Sequence, residues 1–309
     1  MGSEFILLGL FPHLQHADVL AGLIILTYAL ALGGNATLTV LILLDARLHT
    51  PMYFLLRHLS LVDLLFISTT VPRMAASFFS GHKRISHIAC GTQTFFFLTL
   101  GGAECVLLMF MACDRYVAIC HPLRYHTIMS QRVCQSMVLG SWVGSGLNAL
   151  AQVVYTMYVP KCGFLQIEHF FCEPMAVMKL ACGDTSTYQL VILVIGIVLL
   201  LIPFGVISSS YTIIFLTVLR MNSRQARKKA LGTCSSHLLA VSLFYGPTIF
   251  TYMTPGSSHS PAQDQAVSVF FSIVTPMLNP FIYSLRNREV TQALRKALSL
   301  TTLSCHKCL

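Results

Sequence analysis

The stretch from Val19 to Leu44 carries no charged side chain, and this constrains the chain more than any other feature. Crossing a hydrocarbon core about 30 Å thick takes about 20 mostly apolar residues, each adding about 1.5 Å of helix. A run of this length predicts a membrane span. Six more follow at about Met52–Phe78, His87–Cys120, Val133–Tyr158, Tyr188–Leu219, Ala230–Met253 and Ala266–Leu285. The predicted fold class is therefore an all-α membrane protein, a seven-transmembrane helix bundle in a lipid bilayer. Composition agrees: of 309 residues, 55% are hydrophobic and 10% charged, where a soluble domain carries about 25% charged residues. That balance excludes a water-facing globule and a disordered chain. The formal charge of +9 reads as orientation charge beside a membrane, so no nucleic-acid partner is expected.

Lys and Arg divide fifteen to five between the two sides of such a bundle, and the richer side is expected to face the cytoplasm. Residues 1–18 then form an extracellular N-terminus, 19–285 the transmembrane domain, and 286–309 a cytoplasmic helix and tail. The first basic residue is Arg47, so no basic n-region precedes the first span, which is also too long for a signal-peptide core and is expected to stay as an anchor. The loop 159–187 falls outside, where disulfides persist. It holds Cys162, Cys172 and Cys182, and with Cys90 at the outer start of the third span they form a set of four with three pairings open. Beyond the last span, Asn287–Leu300 repeats apolar residues at helical spacing between Arg288, Arg295 and Lys296, which predicts an amphipathic helix on the inner leaflet. Cys305 and Cys308 follow as candidates for palmitoylation.

Acids inside spans are rare, because one at mid-helix costs about 2.5 to 3.5 kcal/mol on insertion scales. Asp63 and Glu104 are the two here; since two bare carboxylates in low dielectric would not both stay ionised, they could share a cation or a proton, or else stand as two separate, hydrogen-bonded acids. Asp114 and Arg115 close the third span as an adjacent acid and base that can hold each other. Pro203, Pro247, Pro276 and Pro280 each remove a backbone donor and predict kinks with freed carbonyls near the bundle interior. Asn35 belongs to a glycosylation sequon, yet it lies within the first span and is expected to hydrogen-bond between helices. On the third span, Phe97, Leu98, Gly101, Gly102 and Cys105 recur at three- and four-residue steps and share one face. The glycines leave room for a ligand there, or else allow close helix packing. No His-Glu-x-x-His, Gly-x-Ser-x-Gly, phosphate loop or paired Cys-x-x-Cys site occurs, so no enzyme chemistry is expected. A proton- or ion-coupled transporter using Asp63 and Glu104 is the alternative function, although the internal repeats usual in transporters are not evident.

Taken in order, several motifs carry a further signal: Glu4–Leu10, Leu48–Leu56, Met111–Cys120, Ser210-Tyr211, Thr233–His237 and Pro276–Asn287. The set resembles the odorant receptors of the tetrapod-type class, within the rhodopsin-like G-protein-coupled receptors, over nearly the whole chain. The resemblance implies a multi-pass plasma-membrane receptor. It would bind a small volatile odorant from outside and activate a stimulatory, olfactory-type heterotrimeric G protein inside, raising cyclic AMP. It implies disulfides Cys90 to Cys172 and Cys162 to Cys182. It assigns Asp114, Arg115 and Tyr116 to a cytoplasmic switch, with Tyr211, His237, Asn279, Pro280 and Tyr283 as its rearranging contacts. Asp63 and Glu104 become sodium-site acids, with no other cofactor required. Opposite the third-span face it places Gln152 on the fourth span, Ile195 and Leu199 on the fifth, and Tyr245, Thr248, Ile249 and Tyr252 on the sixth, with Tyr245 beneath the ligand. No basic residue stands among these positions, which favours a neutral ligand such as an ester, alcohol, ketone or thiol. The chain departs from the family pattern at Cys113, where Tyr is common, and at Leu231-Gly232, where Phe-Ser or Val-Ser is usual. It also lacks the customary N-terminal sequon. The short leader Met1-Gly2-Ser3 fits a trimmed or family-averaged sequence.

Overall fold

The computed structural model describes residues 4–10, 17–81, 83–253 and 260–305. Met1, Gly2, Ser3, Lys307 and Cys308 lie outside the described residues, as do the side chains of Lys229, Arg286, Arg288 and Cys305. Helix dominates: α1 Ala17–Leu44, α2 Pro51–Ser80, α3 His87–Cys120, a short α4 Tyr125–Ile128, α5 Gln131–Tyr158, a short α6 Pro174–Met178, α7 Ser186–Gly196, α8 Ile202–Leu219, α9 Arg224–Met253, α10 Pro261–Val269, α11 Thr275–Arg286 and α12 Arg288–Cys305. Two π-helical segments, Ile197–Leu201 and Phe270–Val274, join α7 to α8 and α10 to α11 into continuous rods.

Among the described residues, six rods are long and apolar enough to cross a bilayer: Val19–Leu44, Pro51–Phe79, His87–Cys120, Gln131–Tyr158, Ser186–Leu219 and Pro261–Ser284. The predicted span Ala230–Met253 lies in α9, which begins earlier, at Arg224. Its leading basic residues and the polar run Gly232, Thr233, Ser235, Ser236 and His237 make it the least apolar member of the seven-helix bundle. Helix starts follow local chemistry. The side chains of Ser86 and Ser130 accept from the N–H groups of Ala89 and Val133, and Ser260 with Gln263 forms a reciprocal cap.

The prolines shape the rods. Each removes the N–H that would bond the carbonyl four residues back, and three of those carbonyls are taken up by a side chain from another helix. Pro203 frees Leu199, whose oxygen accepts from the Cys105 thiol at 2.7 Å. Pro247 frees Leu243, which accepts from Thr275 Oγ1 at 3.3 Å. Pro280 frees Pro276, which accepts from Asn35 Nδ2 at 2.8 Å. The π-helical turns lie just ahead of Pro203 and Pro276, where one extra residue per turn relieves the ring's clash with the preceding backbone. Beside the Asn35 contact, α1 meets α11 so closely that a Cβ on Gly34 would stand 2.8 Å from Pro280 Cγ, which only glycine avoids.

At one end of the bundle a three-stranded sheet forms. Strand β1 (Glu4–Leu7) lies in the middle, antiparallel to β2 (Arg84–Ser86) with Phe5 opposite Ile85, and parallel to β3 (Gln166–Ile167) with Leu7 opposite Ile167. Alternate side chains of a strand point to one face, and Phe5 and Leu7 are buried with Ile85, Cys90, Ile167, Cys172 and Val177. From sequence, residues 1–18 carry no strand signal, because four residues are too short for their period-two pattern to register against the longer helical runs.

Candidate functional site

The sheet end is closed by loop 159–187. The Cys90 to Cys172 bond ties its middle to the start of α3, and Cys162 to Cys182 ties its two arms together. Polar contacts lay the loop across α3: Cys172 N–H donates to Gln93 Oε1 at 3.0 Å, and Thr94 Oγ1 donates to the Cys172 carbonyl at 2.9 Å. Lys161 Nζ donates to the carbonyls of Thr156 and Val159 at the end of α5, where the helix dipole favours a cation, while burial draws its pKa down. His169 is buried between Phe170 and Phe171 with Nε2 3.2 Å from Ser268 Oγ. Burial lowers its pKa to about 3, so the ring is neutral at physiological pH. Glu173 is buried in the same loop, and burial raises its pKa to about 7.

Below this roof lies a cavity of about 120 Å³. Phe97, Leu98, Gly101, Gly102 and Cys105 line it from α3, Gln152 from α5, Ile195 and Leu199 from the α7 rod, and Thr248 and Tyr252 from α9. Two expected wall residues do not line it. Tyr245 sits behind the wall against Phe204 and Phe244, its hydroxyl donating to the Cys105 carbonyl at 2.9 Å. Ile249 packs into the main core. Gly102 has a divided role, because a Cβ there would meet Ser145 Oγ at 2.8 Å. It therefore allows α3 and α5 to pack closely, and Gly102→Val would force the helices apart as well as fill the cavity. Gly101 has ordinary spacing, 3.8 Å to Phe66.

Sequence reasoning missed Phe66, Asn148, Pro174, Met175, Ile192, Gly196, Leu200, Phe244 and Phe271 on the same wall. Phe66 stacks on Phe97 and Phe271 meets it edge-on, at centroid distances of 5.2 and 5.8 Å, a cluster that depends on how α2 and the π-helical turn are rotated. Pro174 and Met175 reach the cavity from the loop that the Cys90 to Cys172 bond ties to α3. Aromatic abundance was the one available signal, and it does not say which rings converge.

Midway down the bundle, Asp63, Glu104 and Asn279 are buried together in the polar interior. Asn279 Nδ2 donates to Asp63 Oδ2 at 3.0 Å. Asp63 Oδ1, both Glu104 oxygens and Asn279 Oδ1 have no hydrogen-bond partner among the described residues. Among those residues, too, no group of three or more His, Cys, Asp and Glu could hold a metal ion, so any cation here would rely on the amide oxygen as well as the two acids.

At the opposite end from the sheet, Arg115 Nε donates to Asp114 Oδ2 at 3.1 Å, its Nη2 pairs with the same oxygen, and Tyr125 Oη donates to Asp114 Oδ1 at 2.7 Å. Burial and the Asp114 charge hold the Tyr125 hydroxyl protonated well above its ordinary range. Tyr211 Oη lies 2.7 Å from His237 Nδ1, joining α8 to α9. Tyr283 is buried nearby on α11, its hydroxyl without a partner among the described residues, and Pro280 on the same helix packs on Gly34 as described. Tyr116 stands apart from this group: its hydroxyl meets exposed His121 Nε2 at 3.1 Å. One further link was not foreseen. Tyr53 on α2 donates to Glu289 at 2.7 Å and accepts from Asn287 Nδ2 at 2.7 Å, fastening the start of α12, which runs on to Cys305.

A roofed apolar cavity, a buried polar middle and a paired acid and base at the far end lie along one seven-helix bundle, and known proteins share the sequence that builds it. The olfactory receptor family model matches residues 24–301. The human protein "Olfactory receptor 2AG2" is 50% identical over 309 residues, covering 100% of this chain and 98% of that protein. The mouse "Olfactory receptor 2V1" is 51% identical over 294 residues, 95% of this chain and 93% of its own. The human "Olfactory receptor 2T10" is 49% identical over 300 residues, 97% and 96% respectively. Likeness of this extent removes the transporter alternative and any enzymatic reading, because the match runs through the helices that form the cavity and through those that hold Asp114 and Arg115: the chain belongs to the olfactory receptor family, multi-pass G-protein-coupled receptors of the membrane.

Proposed function

We propose that this receptor binds a small, neutral volatile molecule in the cavity below loop 159–187 and activates a stimulatory, olfactory-type heterotrimeric G protein at the Arg115 end, raising cyclic AMP. The observation that carries the ligand class is the wall itself. Among the described residues, no charged side chain lines the cavity, and its few polar groups are hydroxyl, thiol and amide. A carboxylate placed there would lose hydration without gaining a counter-charge, whereas an ester, alcohol, ketone or thiol would lose little. The N-terminus is extracellular and the C-terminus cytoplasmic in this reading, supported by the fifteen-to-five division of Lys and Arg. Arg224, Arg227 and Lys228 at the start of α9 then border the G-protein groove, while the expected fourth member, Lys229, has its side chain outside the described residues. Sodium is the cation proposed at Asp63 and Glu104, supported by the unpartnered oxygens of Asp63, Glu104 and Asn279, a hard-donor set suited to a hard cation.

The receptor reconstituted with a stimulatory G protein should catalyse nucleotide exchange in response to neutral odorants at concentrations about tenfold or more below those of the matching carboxylates. Equal or greater potency of the carboxylates would refute the ligand class, and exchange on inhibitory G proteins alone would refute the coupling. Epitope tags at Met1 and Leu309 should label intact cells at Met1 only, and labelling of the C-terminal tag without permeabilisation would reverse the orientation.

A further inference from the structure

The polar residues around the cavity roof include a contact that the receptor reading does not use. Tyr252 lines the cavity from α9, and its hydroxyl donates outward, to Glu173 Oε1 at 3.4 Å. Glu173 does not touch the cavity. It caps α6, with Oε2 accepting the Ala176 N–H at 2.6 Å, and its neighbours Pro174 and Met175 form part of the roof. The carboxyl group is thus split between two duties, one oxygen on the loop backbone and the other on a ligand-facing tyrosine.

A hydroxyl has one proton and two lone pairs, so the state of Glu173 decides what Tyr252 offers inward. When Glu173 is ionised, the Tyr252 proton is held by the carboxylate, and only oxygen lone pairs face the cavity. When Glu173 is protonated, the proton resides on Oε1, because Oε2 keeps its backbone donor. Glu173 then donates to the tyrosine oxygen and releases the Tyr252 proton toward the ligand. We propose that Glu173 is a specificity-determining residue which, through Tyr252, switches the cavity from taking hydrogen-bond donors such as alcohols to taking acceptors such as ketones as pH falls.

The surroundings suit a change near neutrality. Burial raises Glu173 to about 7. The charged groups that face it are Lys179 on its own loop and Asp264 on α10, which pair with each other at 3.7 Å and act on it in opposite directions. Tyr188 on α7 and Tyr252 on α9 complete the set and are neutral in this range. The sign follows: the alcohol-preferring form is present above about pH 7 and is lost as pH falls through it.

This inference rests on the cavity being the ligand site, and the test separates the two. Purified receptor in lipid nanodiscs would be titrated by infrared spectroscopy without ligand. A protonated-carboxyl band should appear as pH falls through about 7, vanish in Glu173→Gln, and move in Tyr252→Phe. The matched pair 2-heptanol and 2-heptanone would then be compared by thermal shift at about pH 8 and about pH 6. The alcohol-to-ketone affinity ratio should fall about tenfold in the wild type, stay at its low, ketone-favouring value in Glu173→Gln, whose amide donates to Tyr252 permanently, and be flat in Tyr252→Phe. A flat wild-type ratio, or a titration that Tyr252→Phe leaves unmoved, overturns the inference. If neither compound shifts the melting temperature while Tyr252→Phe moves the titration, the cavity reading and the ligand switch both fall, and only the hydrogen bond between the two residues stands.

Discussion

Replacing Arg115 with alanine should abolish ligand-stimulated nucleotide exchange while leaving ligand binding in the distant cavity intact. The physics gives this variant two separable effects. Asp114 is fully buried and Arg115 only 15% exposed, so removing the guanidinium leaves a buried carboxylate with Tyr125 as its remaining partner. Breaking such a pair costs about 3 to 5 kcal/mol. Lower stability alone could then silence the receptor. The double variant Asp114→Asn/Arg115→Ala resolves this, because a neutral amide can keep the Tyr125 hydrogen bond without an uncompensated charge. It should recover most of the melting temperature and none of the exchange. Asp114→Asn alone should raise basal exchange, since Arg115 is no longer held. Thermal shift and exchange assays on the three variants are sufficient; recovery of exchange in the double variant would show that Arg115 serves stability only.

The second large effect is expected from the disulfides, and it should be unequal. Cys90 and Cys172 lie 82 residues apart and Cys162 and Cys182 only 20; by loop entropy alone these separations correspond to about 4.5 and about 3.3 kcal/mol. Position widens the difference. Cys90 and Cys172 are both buried in the cluster that anchors Phe5, Leu7 and Ile167, so the pair Cys90→Ser/Cys172→Ser should release the N-terminal strand and the Pro174 and Met175 roof together. Ligand response should be lost. Cys162→Ser/Cys182→Ser should lower the melting temperature yet keep a measurable response, because Cys162 N–H to the Leu180 carbonyl and Cys182 N–H to the Pro160 carbonyl still join the arms. Equal loss of response in the two pairs would contradict this division.

The bundle was legible in the sequence because its signals are long. An uncharged stretch such as Val19–Leu44 has one reading in a bilayer, and each proline marks a missing backbone donor in its own helix. The α3 face was legible for the same reason, since helical periodicity alone places Phe97, Gly101 and Cys105 together. What remained hidden depends on how separate elements meet. Tyr245 was expected under the ligand, but its rotation is fixed by the Cys105 carbonyl, a contact between residues 140 positions apart. Gly102 could serve cavity or packing, and only the position of Ser145 on α5 assigns it a share in the second. The strand Glu4–Leu7 gains its partners from two distant loops. In each case the deciding atom belongs to another element, and no local pattern encodes it.

The carbonyls freed by proline grade the bundle's seams by how firmly they are joined. Asn35 grips the Pro276 oxygen with an amide and lies where Gly34 and Pro280 interlock, so α1 and α11 are fixed to one another as a frame. The Leu243 oxygen has a single hydroxyl, and the Leu199 oxygen a thiol, the weakest donor of the three. Exchanging a thiol contact costs little, and it sits on the cavity wall. Of the three freed carbonyls, the one most weakly held is therefore the one beside the cavity, at the π-helical turn that leads into α8 and on to Tyr211.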